Sequence, residues 1–282
     1  MSSRAYIDTT ILADALLKKG ERRTAAVTAL HKFTERLLPV YAIKEFKAGV
    51  LRRFVWLHNK IVQTKSYSKT LAAIQKVSRT PQRYLTSTAI EALHMSAFAT
   101  GKIRAGKLEE KYGESATLES ILTDEYRYAI RTKIELAWRR RRSIATEVVD
   151  NLSCYREVAP FERRGLLELD PVRCDPDKDG CCLGPLLKAR AGDLEKLRAA
   201  MQGARDTPEG RRRYQALREI ARRKLGEPVA ESTCRDLGDA FFAFFAPEDS
   251  VVLTTNSKDH EPLCAALGKR VETPQGVVSA QE

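Results

Sequence analysis

Long hydrophobic runs are missing from this chain. The longest strongly apolar run, Phe241 to Ala246, falls far short of the ~20 residues that a spanning helix needs. The opening MSSRAYIDTT has no apolar signal core, so a cytoplasmic protein without membrane association is expected. Cysteine is scarce and poorly spaced for metal. Cys154, Cys174, Cys181, Cys182, Cys234 and Cys264 include no two CxxC pairs, so neither a structural zinc nor a disulfide framework is expected. His31, His58 and His94 stand at no metal-ligand spacing. No phosphate-cradling glycine loop and no nucleophile-elbow serine occurs, which removes the commonest nucleotide-binding and acyl-transfer motifs. The DPDKDG stretch, Asp175 to Gly180, opens like a calcium loop. Its twelfth position is Leu186 where a bidentate glutamate belongs, so an ordinary turn is expected. No internal repeat is found.

Positive charge is plentiful. The 282 residues carry a formal net charge of +12 with a pI near 9.5, which favours a polyanionic partner such as nucleic acid. The charge is unevenly spread. Residues 1–65 hold 13 basic and 5 acidic side chains, and residues 228–282 hold 4 basic and 9 acidic. An acidic strip within a basic chain suits a divalent cation held beside a phosphate backbone.

That strip contains the most informative stretch, GDAFFAFFAPEDSVVLTTNSKDHEPL, Gly238 to Leu263. A short apolar helix begins at Asp239. After the Pro247-Glu248-Asp249 turn, Ser250 to Thr255 is β-branched, apolar and too short for a helix. A polar elbow, Asn256 to Asp259, then leads into another helix. A fully apolar strand between helices predicts an α/β layer covered on both faces. Ligands bind beyond the carboxyl ends of strands in such sheets. The N-terminal segment supplies equivalent acids. RAYID, Arg4 to Asp8, is a candidate strand ending in an acid, and Thr9-Thr10 opens and caps a helix over Ile11 to Lys18. A helix is expected from about Arg22 to Glu35, then a strand over Leu38 to Tyr41, with Glu45 one turn into the next helix.

Asp8 in YIDTTIL, Glu45 in YAIKEFKAG, Asp239 in GDAFFAFFA and the TTNSKDHEPL elbow resemble the four signature regions of the PIN-domain ribonucleases. The resemblance covers roughly the first 60 and last 50 residues. It implies an α/β, three-layer PIN-like fold with a short parallel sheet. On this division residues 1–65 and 228–282 form the PIN-like domain, interrupted by a mostly helical basic insertion, 66–227. The resemblance also implies a carboxylate-bound Mg²⁺ or Mn²⁺ and endoribonuclease activity leaving 5′-phosphate and 3′-hydroxyl ends. Toxin or defence roles, an antitoxin-like inhibitor and homodimers are further properties of similar proteins. Carried over by position, Asp8, Glu45, Asp239 and Asp259 are the catalytic acids. Asn256 is a neutral ligand or hydrogen-bond donor, and Asp236 shares or replaces the role of Asp239. Thr10, Thr255 and His260 support the site.

These residue types fit that chemistry without the analogy, since Mg²⁺ is a hard cation bound through a few carboxylates. The insertion carries arginine clusters, Arg139-Arg140-Arg141-Arg142, Arg211-Arg212-Arg213 and Arg222-Arg223-Lys224, which are candidates for RNA phosphates. Trp138 and Tyr214 lie beside two of them as candidate stacking platforms. RNA, single-stranded or tRNA-like, is favoured over DNA. The alternative is a nucleic-acid-binding protein of the same fold whose acid set no longer cuts.

Overall fold

The computed structural model describes residues 3–80, 82–100, 110–113, 115–149, 155, 157–170, 183–223 and 229–275. Lys224, Cys154, Cys174, Cys181, Cys182 and the Asp175–Gly180 stretch lie outside the described residues. The first half runs β1 (Arg4–Ile7), α1 (Thr9–Leu17), α2 (Gly20–His31), β2 (Glu35–Pro39), α3 (Val40–Phe46), a π-helical turn (Lys47–Leu51), α4 (Arg52–Thr64), α5 (Tyr67–Ser78), α6 (Tyr84–Thr100) and α7 (Leu118–Arg140). The second half runs β3 (Glu147–Val149), β4 (Phe161–Arg163), β5 (Leu166–Glu168), α8 (Leu183–Ala189), α9 (Ala191–Gln202), α10 (Pro208–Arg222), α11 (Glu231–Asp236), α12 (Gly238–Phe245), β6 (Ser250–Leu253), α13 (Ser257–Ala266) and β7 (Arg270–Glu272). No helix among the described residues is long and apolar enough to cross a membrane.

The chain forms two compact units. One comprises Met1–Phe46, Arg141–Glu157 and Val172–Glu282, and the other Lys47–Arg140 with Val158–Pro171. This division falls elsewhere than the composition shifts at 65 and 227. The cause is apolar packing: Leu194, Leu197 and Met201 of α9 and Ala216, Leu217 and Ile220 of α10 are buried, and α9 packs on both α10 and α13. Basic composition marks the exposed faces of those helices and says nothing of where the opposite faces lie.

The first unit is built on a five-stranded, wholly parallel sheet in the order β3-β2-β1-β6-β7. Ala5, Tyr6 and Ile7 are all buried, as are Val251, Val252 and Leu253. Successive strand side chains point to opposite faces, so both faces are covered and the architecture is three-layer α/β. The chain leaves β1 toward β2 and β3 on one side, and β6 and β7 occupy the other. The strand order therefore reverses between β1 and β6, which is where open α/β sheets form a ligand crevice. Aromatic contacts support this core, with Tyr41 edge-on to Phe241 at 4.8 Å and Tyr6 edge-on to Phe242 at 6.2 Å. The carboxyl end of α12 is closed from outside the helix: the Lys269 ammonium donates to the carbonyls of Ala243, Phe244 and Ala246.

Several element ends differ from expectation. Helix α1 is capped by Asp8 rather than Thr9 or Thr10, because the aspartate oxygens accept from the Thr9 and Thr10 backbone N–H groups. Helix α2 ends at His31, since Thr34 and Glu35 turn their N–H groups to the Ser3 carbonyl and enter β2. Pro39, which lacks a donor for the ladder, ends β2 and releases Val40 and Tyr41 into α3.

The second unit is helical. Helix α4 buries Phe54, Leu57, His58 and Ile61, an i, i+3, i+4, i+7 stripe, and α7 buries Tyr126, Ile130, Ile134 and Ala137. Strands β4 and β5 form a hairpin whose two-residue loop, Arg164-Gly165, has positive φ at both positions. Asn59 of α4 pins this hairpin, donating to the Leu167 carbonyl at 2.7 Å and accepting its N–H at 2.9 Å.

Candidate active site at the carboxyl end of the sheet

The pairing of Ile7 with Leu253 sets the next residues, Asp8 and Thr254, side by side at the strand-order reversal. The Asp8 N–H extends the ladder to the Leu253 carbonyl at 3.0 Å. Both side chains are buried. The Thr254 and Thr10 hydroxyls each donate to Asp8 Oδ2 at 2.6 Å. Asp8 is thus fixed from α1 on one side and β6 on the other.

Three further acids share this corner. Glu45 comes from α3 and receives the Thr9 hydroxyl at 2.7 Å, with the Tyr41 hydroxyl also bonded to it. Asp239 comes from the first turn of α12. Gly238 suits the close approach of these helices, because a Cβ there would stand 3.0 Å from Glu45 Oε1 and 3.2 Å from the Tyr41 hydroxyl and push both aside by a few tenths of an ångström. Asp259 lies in the first turn of α13, where the Asn256 amide donates to it at 2.8 Å.

Two cationic or potentially cationic groups stand among the acids. His260 is buried edge-on against Phe242, with Nε2 at 3.4 Å from Asp239 Oδ1 and 3.6 Å from Asp8 Oδ2. Arg213 of α10 pairs with Asp239 and reaches within 3.8 Å of Asp259. It is 9% exposed. Helix α10 is seated by Gly210, whose Cβ would collide with the Ala204 carbonyl at 2.0 Å.

Four carboxylates with one guanidinium leave an excess of negative charge. Burial, followed by the charges of Asp239 and Asp8, pushes the Glu45 carboxyl up to about 8, against the Thr9 hydrogen bond that favours its ionised form. Burial likewise raises Asp239, against the pull of His260 and Arg213. Two buried nitrogens, Arg213 Nε and His260 Nδ1, have no hydrogen-bond partner. Such orphans are costly unless a further group satisfies them.

Of the residues marked from sequence, Asp8, Glu45, Asp239, Asp259, Asn256, Thr10 and His260 meet in this corner. Thr255 contributes only its backbone N–H, donated to the Thr10 hydroxyl at 3.0 Å; the hydroxyl facing Asp8 is that of Thr254. Asp236, at the end of α11, makes no hydrogen bond or ion pair with these residues. Among the described residues no three His, Cys, Asp or Glu side chains converge in a metal-ligating arrangement, because the carboxylate oxygens are turned to threonine, asparagine, arginine and histidine partners.

The arginine clusters are dispersed. Arg141 and Arg142 both bond Glu157, Arg212 pairs with Glu209, Arg223 pairs with Glu219, and Arg211 donates to the Arg205 carbonyl. Arg139, Arg140 and Arg222 are exposed. Trp138 is buried, with the Lys47 ammonium 5.7 Å from its ring centre, so it is no stacking platform. Tyr214 is half-buried and covered by Arg205 at 5.0 Å.

Sequence reading missed Thr9, Thr254 and the position of Arg213. A signal for the last was available: Arg213, Ala216, Leu217 and Ile220 recur at i, i+3, i+4 and i+7, so Arg213 belongs to the buried stripe of α10 while Arg211 and Arg212 do not. Comparison of the chain with protein-family models, with curated proteins and with solved structures gives no match.

Proposed function

We propose that the chain is a divalent-metal-dependent endoribonuclease whose active centre is the acid corner at β1 and β6. One observation carries this reading. Four carboxyl side chains from four separate segments, Asp8, Glu45, Asp239 and Asp259, converge where the strand order reverses, together with the buried His260 and Arg213. A structural role alone gives little reason to gather four acids at the carboxyl end of a sheet.

The donor set fits a hard cation: Asp8, Glu45, Asp239 and Asp259 offer only oxygen, with no thiolate among them. When bound there, Mg²⁺ or Mn²⁺ supplies Lewis acidity, which lowers the pKa of a water and offsets charge on the scissile phosphate. The remaining work falls to the chain. Thr10 and Thr254 hold Asp8, Thr9 holds Glu45, and Asn256 holds Asp259, so the oxygens keep their orientation as charge changes. His260 stands between Asp8 and Asp239 and offsets their mutual repulsion when protonated. Arg213 pairs with Asp239 and stands beside Asp259, fixing two of the acids from α10.

A second reading is binding without cutting, favoured by Arg213 itself, which stands on Asp239 and beside Asp259 as an internal cation. The deciding assay incubates labelled RNA and single-stranded DNA with Mg²⁺, Mn²⁺ or chelator, comparing wild type with Asp8→Asn and Asp239→Asn. Asn is itself a good helix cap, so Asp8→Asn preserves the start of α1. Metal-dependent cleavage of RNA that disappears in both folded variants is expected. Binding without cleavage under every metal condition establishes the second reading instead.

A further inference from the structure

In the helical unit, a cleft of about 580 Å³ is lined by Ala48, Gly49, Arg52, Arg53, Trp56, Gln82, Tyr84 and Leu85. Its volume lies within the range of about 300–1,000 Å³ typical of small-ligand sites. None of the arginine clusters singled out from sequence contributes to it.

The geometry follows from the π-helical turn. Lys47–Leu51 passes directly into α4, and the small residues Ala48 and Gly49 leave room at one wall, where a Cβ on Gly49 would meet nothing within 4 Å. Such turns are uncommon and recur at functional sites. Arg52, Arg53 and Trp56 then project from one side of the first turns of α4 at i, i+1 and i+4 spacing. Across from them, Tyr84 at the start of α6 is 47% exposed, with the Arg53 guanidinium over its ring at 4.8 Å.

Several of the arginines marked from sequence are neutralised within the chain. Arg141, Arg142, Arg212, Arg213 and Arg223 each pair with a carboxylate of the chain. Arg52 and Arg53 have no carboxylate partner among the described residues, and no acid lines the cleft. Two uncompensated guanidiniums call for an anion. Beside a half-buried tryptophan and an exposed tyrosine, the complementary ligand is one with phosphates and a flat aromatic ring.

We propose that this cleft binds an unpaired nucleotide of a nucleic-acid strand, with its base stacked on Trp56 or on Tyr84, from whose ring the Arg53 guanidinium swings to a phosphate, and its flanking phosphates on Arg52 and Arg53. The assignment concerns binding alone and stands whether or not the acid corner cuts.

The test uses the full chain in chelator, so that no cleavage occurs, and fluorescence anisotropy of a labelled single-stranded RNA decamer. Arg52→Ala/Arg53→Ala is expected to weaken binding at least tenfold and to flatten the log–log salt slope by about 1.4, since each phosphate contact to a single strand contributes ~0.7. Tyr84→Ala is expected to weaken binding about tenfold while Tyr84→Phe keeps it, because the ring and not the hydroxyl does the stacking. The chain has two tryptophans, and Trp138 is buried. Quenching of tryptophan emission by unlabelled RNA therefore reports Trp56, and its absence counts against the assignment. Variants that remain folded by circular dichroism and bind within twofold of wild type overturn it. Heparin binding as tightly as RNA, with no effect of Tyr84→Ala, reduces the cleft to an anion patch and also overturns it. A nucleoside monophosphate matching the decamer in affinity overturns the strand assignment in favour of a free-nucleotide site.

Discussion

Replacing Arg213 by methionine tests whether the acid corner is a cation site. The side chain is 9% exposed, pairs with Asp239 and approaches Asp259. Methionine keeps much of the buried stem and deletes the charge, leaving Asp8, Glu45, Asp239 and Asp259 without the guanidinium. Removing one partner of a buried pair costs about 3–5 kcal/mol. The lower end applies here, because the Asp239 and Asp259 side chains retain 23% and 38% exposure and are partly screened by water. A loss of about 3 kcal/mol is a large fraction of the ~5–15 kcal/mol that stabilises a domain. If the corner accepts divalent metal, the variant's site is more open to it than wild type. Mg²⁺ stabilises both proteins, and each tenfold by which the variant binds it more tightly narrows their gap by about 1.4 kcal/mol. Urea unfolding of both proteins, with chelator and with saturating MgCl₂, gives the comparison. A wide gap in chelator that narrows by at least that amount in Mg²⁺ is expected. Gaps of equal size in both conditions refute the idea that guanidinium and metal serve the same acids.

Glu45 gives a pH signature. The folded chain keeps a proton to about pH 8 that the unfolded chain sheds near its ordinary 4.5, so stability falls as pH rises through that window. The full shift corresponds to up to about 4–5 kcal/mol. Glu45→Gln removes this dependence, and unfolding curves from pH 5 to 9 that run parallel for the two proteins contradict it. Gly238→Ala crowds Glu45 and Tyr41 without removing a functional group. It is expected to lower cleavage more than about tenfold while costing roughly 1–3 kcal/mol of stability, and an unaffected rate counts against the close approach. Cys264 is buried, and its thiol is pushed up to about 12 by that burial. Peptide mapping after alkylation at pH 8 should find Cys264 unmodified in the native protein and modified in urea; rapid native labelling rejects the placement.

The sheet was readable where the chain states it locally. RAYID and SVVL are short apolar runs bounded by polar turns, and both are strands ending at the acid corner. The acids were legible for the same reason, since each sits beside such a boundary. Strands β3 and β7 contain three residues each, too few to carry a period of two, and they join the sheet only through their neighbours. The partners of the acids were hidden because they are distant in the chain. Thr254 reaches Asp8 across the sheet register, and Arg213 arrives on a helix from the stretch that composition assigned to an insertion. An arginine run also reads as a surface patch until helical phase is applied to it. Arg52 and Arg53, two adjacent charges at the start of an amphipathic helix, gave no compositional signal.

The pairing of β1 with β6 has a consequence for the order of synthesis. The central strand is made before its neighbour on the crevice side, which emerges some 245 residues later, roughly 12–50 s at cellular elongation rates of about 5–20 residues per second. Throughout that interval β1 has one unsatisfied edge, open to chaperones or to wrong strands. Asp8 and Glu45 wait without Asp239 and Asp259. The corner is complete only once the elbow after β6 has been made, so whatever the four acids do together, a chain shorter than about 259 residues lacks the means to do it.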